Sequence, residues 1–192
     1  MNKENEMDNK TLALLAVRTD QWCHMFLIQA KRFLNAFDDD CSGTFPWQDS
    51  KGSSIYVGER LFLITALHHA IVNLNCMYKE LKKRDENVDD LKLIVDMIAR
   101  KDMLRDILDL RNMNEHDIDY MTGNGRSQKR FFSIVEKNNY RYQTNAHMTV
   151  RIEKAQSFSI GNIQVPEIIK KFQLQMPEID NICERIFVKY FC

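Results

Sequence analysis

Residues 111–116, with the sequence RNMNEH, bring together side chains that can act on a phosphate. The guanidinium of Arg111 is always charged and can hold phosphate oxygens through paired N–H groups. The imidazole of His116 can accept and return a proton near neutral pH. Asn112 lies four residues before His116, so the two share one face of a helix. The spacing therefore predicts a site that binds a phosphate, orients it and transfers a proton.

This pattern resembles the signature of the HEPN superfamily (higher eukaryotes and prokaryotes nucleotide-binding domains). The signature is an Arg, a polar residue, three further residues and a His, late in a helix of an all-α bundle. Arg18 with His24 and Arg141 with His147 form looser pairs, but only Arg111–His116 has four intervening residues and a polar residue after the Arg. The resemblance covers these six residues and the helical layout. The Tyr that toxin-type members carry two residues after the His is Ile118 here, and the nearest Tyr is Tyr120.

The resemblance implies an activity and an assembly. Many HEPN proteins are metal-independent ribonucleases of toxin–antitoxin, abortive-infection and CRISPR systems, and they pair two motifs across a two-fold axis. By this resemblance His116 is the proton donor or acceptor, and Arg111 stabilises charge on the phosphate. Asn112 orients the imidazole or the phosphate. No cofactor and no metal are implied. The implied partners are RNA, a second copy of the chain, and an antitoxin or a nucleotidyltransferase that modifies a tyrosine such as Tyr120.

A basic segment follows the motif. Residues 80–119 hold 12 acidic and 8 basic side chains, whereas residues 120–154 hold 7 basic and 2 acidic ones, with aromatic residues between them. Basic side chains bind the phosphate backbone and aromatic rings stack on bases. The segment therefore predicts RNA contacts by Arg126, Lys129, Arg130 and Arg141. A solvated surface loop is an equally good interpretation of the same pattern.

Apolar periodicity predicts the elements that position these residues. Residues 10–37, 59–84 and 88–116 each repeat apolar side chains at helical spacing, and the second segment is apolar on nearly every face. The acidic run at Asp38 predicts the end of the first helix, and residues 44–58 are predicted to form a loop. The third stripe, which includes Met97, Leu104 and Leu108, would carry Arg111 towards the bundle interface. A last helix is predicted from Val165, with a kink or break at Pro177.

The predicted fold class is all-α. We expect one domain over residues 1–192, an up-and-down bundle of four to five helices, with a loop and a small β-hairpin inserted at 121–164. The hairpin rests on Met148, Val150 and Ile152, which alternate with polar residues, and on Phe158 and Ile160 as a partner strand.

Three other groups of residues are more typical of ordinary structure than of a site. The adjacent His68 and His69 point about 100° apart on a helix, which does not suit chelation of one metal. The acidic run 38–40 is typical of a helix end in solvent. The glycines of residues 122–127 lack the Lys-Ser/Thr of a phosphate loop and indicate a turn.

Composition excludes several classes of protein. The 192 residues carry 27 basic and 27 acidic side chains, 44% hydrophobic residues, 6 Gly and 3 Pro, which argues against a disordered or collagen-like chain. No run of 18 apolar residues predicts a membrane span, and the polar start does not predict a secretory signal. Five scattered cysteines indicate neither a disulfide framework nor a cysteine zinc site. We therefore expect a cytoplasmic protein.

The sequence leaves two functions open. One is a HEPN-type endoribonuclease of a defence or toxin system. The other is a non-catalytic helical adaptor that binds a partner protein or a nucleotide, in which Arg111 and Glu115 form an ordinary ion pair four residues apart. Position discriminates between them. An Arg111 and a His116 that open together into a groove favour the enzyme, whereas a buried His116 with Arg111 paired to an acid favours the adaptor.

Overall fold

The fold is taken from a computed structural model. The structure describes residues 7–42, 51–98, 101–116, 119, 124, 132–137, 140–145, 150–154, 157–160 and 163–191. The chain divides into two compact units. The first comprises Met1–Arg100 and Ile169–Cys192, and the second comprises Lys101–Ile168.

Helices make up most of the described residues, which confirms the predicted helical class. Five helices are described, and two of them exceed thirty residues. Their bounds are α1 (Asn9–Ser42), α2 (Lys51–Lys83), α3 (Asp89–Ile98), α4 (Lys101–Glu115) and α5 (Val165–Phe191).

The first unit is organised around the pairing of α1 with α2. Asp8 begins α1 by accepting a hydrogen bond from the backbone N–H of Thr11 at 2.9 Å and another from its hydroxyl at 2.6 Å. These hydrogen bonds hold the pKa of Asp8 below its usual range. Further along α1, Phe26 is fully buried and packs on Phe172 of α5, with ring centroids 4.6 Å apart. Burial of these two apolar side chains therefore positions α1 against α5.

Polar contacts join the helices of the first unit at two places. Arg32 of α1 forms an ion pair with Glu59 of α2 at 2.8 Å, and the side-chain amide of Gln29 donates to the backbone carbonyl of Glu59 at 3.2 Å. At the second place, near the end of α5, the hydroxyl of Tyr190 donates to Glu86 at 2.7 Å, and Lys189 also contacts that carboxylate. The end of α5 is thereby fixed to the segment between α2 and α3.

The second helix, whose sequence is apolar on nearly every face, has one face that is exposed. Phe62 and Val72 are exposed, although a buried stripe runs along the rest of the helix. Among the described residues, Gly58–Lys83 is the segment long and apolar enough to cross a membrane by length and composition, and 44% of its most apolar window is buried inside the protein. The buried stripe consists of Leu63, Ile64, Leu67, Ala70, Ile71, Leu74, Met77 and Leu81.

Two helix boundaries differ from the predictions. The first helix continues through the acidic run to Ser42, and α2 already begins at Lys51, inside the predicted loop 44–58. Residues 43–50 lie outside the described residues. A kink or break was predicted at Pro177, and the last helix continues through that residue without a break. Local helix propensity is a weak indicator, and tertiary packing routinely overrides it.

The predicted third helix is described as two elements. The third helix ends at Ile98, α4 begins at Lys101, and the two belong to different compact units. Residues 99–100 lie outside the described residues. Ala99 and Arg100 are good helix formers, so neither composition nor apolar spacing indicated a boundary here.

The described residues of the second unit form α4, five short strands and the first four residues of α5. Strand β1 (Phe132–Lys137) pairs antiparallel with β2 (Tyr140–Asn145), and this pairing falls where the sequence had predicted only a loop. Strand β3 (Val150–Lys154) pairs with β4 (Ser157–Ile160), and β4 pairs with β5 (Ile163–Gln164), both antiparallel. The strand orders are β1-β2 and β3-β4-β5.

Candidate functional site

The end of α4 carries the residues that the sequence singled out. Its buried face consists of Ile107, Leu110 and Met113, spaced three apart. Arg111 and Asn112 lie beside that face and are partly buried, and His116 follows the last residue of the helix. The backbone N–H of His116 donates to the carbonyl of Asn112 at 3.0 Å, which extends the helical turn by one residue.

The apolar stripe that was expected to carry Arg111 inward is not buried along its predicted residues. Met97 and Leu108, both assigned to that stripe, are each 41% exposed. The buried residues of α4 are Ile107, Leu110 and Met113, which lie one position before Leu108 and two and five positions after it. Arg111 is nevertheless half-buried, since it lies one turn after the fully buried Ile107.

The guanidinium of Arg111 is only partly satisfied. Its side chain is 28% exposed, and Nη2 lies 2.8 Å from a carboxylate oxygen of Glu115. Its Nε is buried and has no hydrogen-bond partner within the described part of the chain. A buried donor without a partner costs about 1–3 kcal/mol, and hydrogen bonds from charged donors are stronger than neutral ones. An anion that reached Nε would remove that cost.

The imidazole of His116 is open to solvent. Its side chain is 62% exposed, and Nδ1 lies 3.7 Å from a carboxylate oxygen of Asp119. The backbone carbonyl of Asp119 in turn accepts a hydrogen bond from the N–H of Asn124 at 2.8 Å. At 3.7 Å this contact is an exposed ion-pair distance and not a hydrogen bond, so it does not by itself fix the orientation of the imidazole.

The positional criterion gives a divided result. The ion pair with Glu115 is the one that the adaptor interpretation predicted, whereas the exposed His116 differs from the buried histidine that the same interpretation expected. Arg111, Asn112 and His116 are brought to one helix end, as the spacing predicted.

Comparisons with protein-family models, with curated proteins and with solved structures found no match.

Most of the predicted RNA-binding residues lie outside the described residues. These are Arg126, Lys129 and Arg130. Arg141 lies in β2, in register with Glu136 of β1. The prediction that this basic segment contacts RNA therefore stays a prediction.

A second group of side chains, in the first unit, was missed by the sequence analysis. Asp20 and His24 lie one turn apart on α1, and Asp180 of α5 lies beside them. Nε2 of His24 is 3.1 Å from Asp180 and 3.7 Å from Asp20. Burial, together with the neighbouring Asp180 carboxyl, raises the pKa of Asp20. The Asp-x-x-x-His spacing was visible in the sequence, but nothing in it indicated Asp180 as the third member.

A cavity of about 910 Å³ adjoins this group. Asp20 and His24 contribute to its lining, as do Trp22 of α1 and His69 of α2. The rings of Trp22 and His69 are stacked, with centroids 4.3 Å apart. This stacking places His69 at a contact between α1 and α2.

Proposed function

We propose that this protein is a HEPN-type endoribonuclease that cleaves RNA without a metal ion, through attack by the RNA's own 2′-hydroxyl. The observation that supports this proposal is the state of the two key side chains at the end of α4. Arg111 has a buried Nε without a partner among the described residues, and five residues later His116 is 62% exposed. A phosphate held by the guanidinium would place the adjacent ribose within reach of the imidazole.

The proposed reaction assigns one role to each residue. His116 removes the proton from the 2′-hydroxyl, whose oxygen attacks the phosphorus, or it protonates the 5′-oxygen as the P–O5′ bond breaks. Arg111 stabilises the negative charge that develops on the phosphate, the contribution that is usually largest. Asn112 orients the phosphate or the imidazole. The products are a 2′,3′-cyclic phosphate and a free 5′-hydroxyl, and the stoichiometry needs no cofactor.

The ion pair between Arg111 and Glu115 does not prevent phosphate binding. Glu115 is 40% exposed, and ion pairs that are partly exposed contribute about 0–1 kcal/mol. A phosphate can therefore replace the carboxylate at the guanidinium at little cost. In this proposal Glu115 holds Arg111 in place until RNA arrives.

Glu115→Gln should increase the affinity for RNA. The variant removes the carboxylate that competes with phosphate, so the dissociation constant should fall by roughly two- to fivefold, the equivalent of a partly exposed ion pair. Fluorescence anisotropy with a labelled RNA measures this constant. Glu184→Gln removes an exposed charge from α5 and is the matched control. An unchanged affinity, with only a small loss of thermal stability, would favour the adaptor.

The enzyme is proposed to act as a homodimer. The single imidazole of each motif, that of His116, supplies one proton-transfer group, whereas cleavage through a cyclic phosphate benefits from an acid and a base. We expect a two-fold axis that brings two Arg111–His116 pairs together.

Multi-angle light scattering should report twice the chain mass of 22.7 kDa at micromolar concentrations. The expected self-association follows from the need for two motifs at one phosphate. A second measurement by analytical ultracentrifugation over a tenfold dilution gives the dissociation constant. A monomer at every micromolar concentration would count strongly against catalysis.

The basic segment 120–154 is proposed to hold the RNA, with the paired strands of 150–160 forming a small hairpin inserted before α5. The segment would follow the phosphate backbone through Arg126, Lys129, Arg130 and Arg141.

We further propose a cytoplasmic defence or toxin protein whose activity is restrained by an antitoxin or by a nucleotidyltransferase.

Affinity for RNA should fall steeply with rising salt. Counterion release gives a slope of log affinity against log salt of about −0.7 per phosphate contact on a single strand. Replacing Arg126, Lys129 and Arg130 with Ala should therefore weaken binding and reduce the slope by about 2. Anisotropy titrations between 50 and about 200 mM salt measure both. A triple variant with the wild-type affinity would leave the segment as a surface loop.

The alternative function is a non-catalytic helical adaptor that binds a partner protein or a nucleotide. The observation that favours it is the 2.8 Å ion pair between Arg111 and Glu115, four residues apart on one helix. Such pairs stabilise a helix by about 0.2–0.5 kcal/mol and need no further role.

The first experiment compares RNA with DNA. Purified protein is incubated with an RNA and with a DNA of the same sequence, both end-labelled, in EDTA. The proposal expects cleavage of the RNA and an intact DNA, because only RNA has the 2′-hydroxyl. Intact RNA over a broad set of sequences, or equal cleavage of both polymers, would reject the proposed chemistry.

A further inference from the structure

Three side chains that can coordinate a metal converge on one side of the first unit. Asp20 and His24 come from consecutive turns of α1, and Asp180 comes from α5, 156 residues beyond His24 in the chain. One ligand atom from each of the three lies within 4.8 Å of the other two. The cluster therefore joins two helices that are distant in sequence.

The core fixes the positions of the two carboxylates. Cys23 is fully buried on α1, and Ile179 and Cys183 are buried on α5 at positions flanking Asp180. Packing of these residues brings α1 and α5 together whatever the charges of the two aspartates. Two carboxylates held close together repel each other, and a proton or a cation between them relieves the repulsion.

We propose that Asp20, His24 and Asp180 bind a divalent transition-metal ion, for which Zn²⁺ is the best match. Imidazole nitrogen and carboxylate oxygen are both common zinc ligands, at about 2.0–2.2 Å from the ion. Ligand atoms at those distances in a tetrahedron lie about 3.3–3.6 Å apart. The separations of His24 Nε2 from the two carboxylates, 3.1 and 3.7 Å, bracket that range. Mg²⁺ and Ca²⁺ fit less well, because they prefer oxygen ligands alone.

The site would be accessible and would have a free coordination position. All three ligand side chains are partly exposed, which gives an ion a path of entry. Three protein ligands leave the fourth tetrahedral position to water or to an anion. Asp20 and His24 also line the cavity of about 910 Å³, so a small anionic ligand in that cavity would lie beside the ion.

The proposed role of the ion is to join α1 to α5. None of its ligands belongs to the Arg111–His116 motif, so this inference does not rest on ribonuclease activity. Cleavage in EDTA and binding of metal are therefore separate measurements, and either can fail without the other.

Thermal unfolding of the full chain tests the site, because the effect of Asp20→Asn should change sign with the metal. In EDTA the variant should melt at or above the wild-type temperature, since one of two repelling carboxylates is gone. With Zn²⁺ at 100 times its dissociation constant, wild type should gain roughly 5–10 °C. Asp20→Asn and Asp180→Asn should gain little, and Asp96→Asn, an exposed residue on α3, should gain as much as wild type.

Cobalt spectroscopy identifies the ligands. One equivalent of Co²⁺ should give weak visible bands typical of nitrogen and oxygen ligands, and these bands should disappear in Asp180→Asn. An intense near-ultraviolet thiolate band would assign the ion to cysteines and overturn the proposal. Equal zinc stabilisation of wild type and both Asn variants, or no stabilisation of wild type, would also overturn it. An Asp20→Asn variant whose melting temperature in EDTA lies below that of wild type would mean that the carboxylates have only a structural role.

Discussion

His116→Ala is expected to lower the rate constant of RNA cleavage by a factor of about 10²–10⁴, the usual contribution of a positioned proton-transfer group. The variant removes the imidazole but leaves the phosphate site at Arg111. RNA affinity should therefore change little while the cleavage step slows. Single-turnover kinetics with excess protein separate these two quantities.

The variant should stay folded. The His116 side chain is 62% exposed and follows the end of α4, so its removal leaves no cavity. Helical circular dichroism should match that of wild type. Arg105→Ala, at an exposed position of the same helix, is the matched control and should cleave at the wild-type rate. A His116→Ala variant that cleaves as fast as wild type would show that the imidazole takes no part in the reaction.

Replacement of Arg111 should produce a loss of similar size. The guanidinium stabilises charge in the transition state, and removal of one such group typically costs about 10²–10³ in rate. Arg111→Lys keeps the charge but loses the planar fork of donors, so it should recover only part of the activity. Asn112→Ala should cost less than either, because that residue orients other groups and does not react. Equal activity of Arg111→Ala and wild type would instead assign Arg111 to its ion pair with Glu115.

A single 2′-deoxy or 2′-O-methyl nucleotide on the 5′ side of a cleaved bond should abolish cleavage at that bond. The attacking oxygen is then absent or blocked, so no cyclic phosphate can form. Gel analysis of a short end-labelled RNA resolves each bond. The same substitution on the 3′ side of the bond is the control and should leave the rate unchanged.

The loss of cleavage should be confined to the modified bond, and cleavage of the other bonds should not require a metal ion. Neighbouring bonds in the modified RNA keep their 2′-hydroxyls and should still be cut in excess EDTA. Cleavage at the modified bond would mean that water, and not the ribose, attacks the phosphorus. Cleavage that requires added Mg²⁺ or Mn²⁺ would point to a two-metal reaction of another class.

The helical part of the fold was predictable because apolar periodicity reports directly on buried helix faces. The stripes of α1, α2 and α5 contain side chains as far apart in sequence as Phe26 and Phe172, which are both fully buried. Boundaries were less predictable. A repeat of apolar residues continues across the interval between α3 and α4, where no Gly or Pro marks a boundary.

The motif at the end of α4 was predictable only in its spacing. Residues four apart on a helix are neighbours, so Asn112 and His116 had to share one face, and Arg111 directly precedes Asn112 in the chain. Which partner Arg111 selects depends on rotamers and burial that the sequence does not specify. The sequence offered Glu115 as an ion-pair partner four residues further on, but the burial of Nε without a partner among the described residues became visible only in the structure.

The Asp20–His24–Asp180 cluster shows the limit of reasoning from spacing. Asp20 and His24 are one helical turn apart, but Asp180 reaches them only through packing of α5 against α1. No local pattern encodes that contact, because it depends on the rotation of one helix relative to another. Sites assembled from distant helices therefore need coordinates.

The ends of the RNA products test the central claim most directly. A defined RNA is incubated with wild type and with His116→Ala in excess EDTA, and the fragments are analysed by mass spectrometry. The proposed chemistry predicts 2′,3′-cyclic phosphate and 5′-hydroxyl ends with wild type, and loss of both with His116→Ala. Fragments with 5′-phosphate ends, or cyclic phosphate formed equally well by the variant, would contradict it.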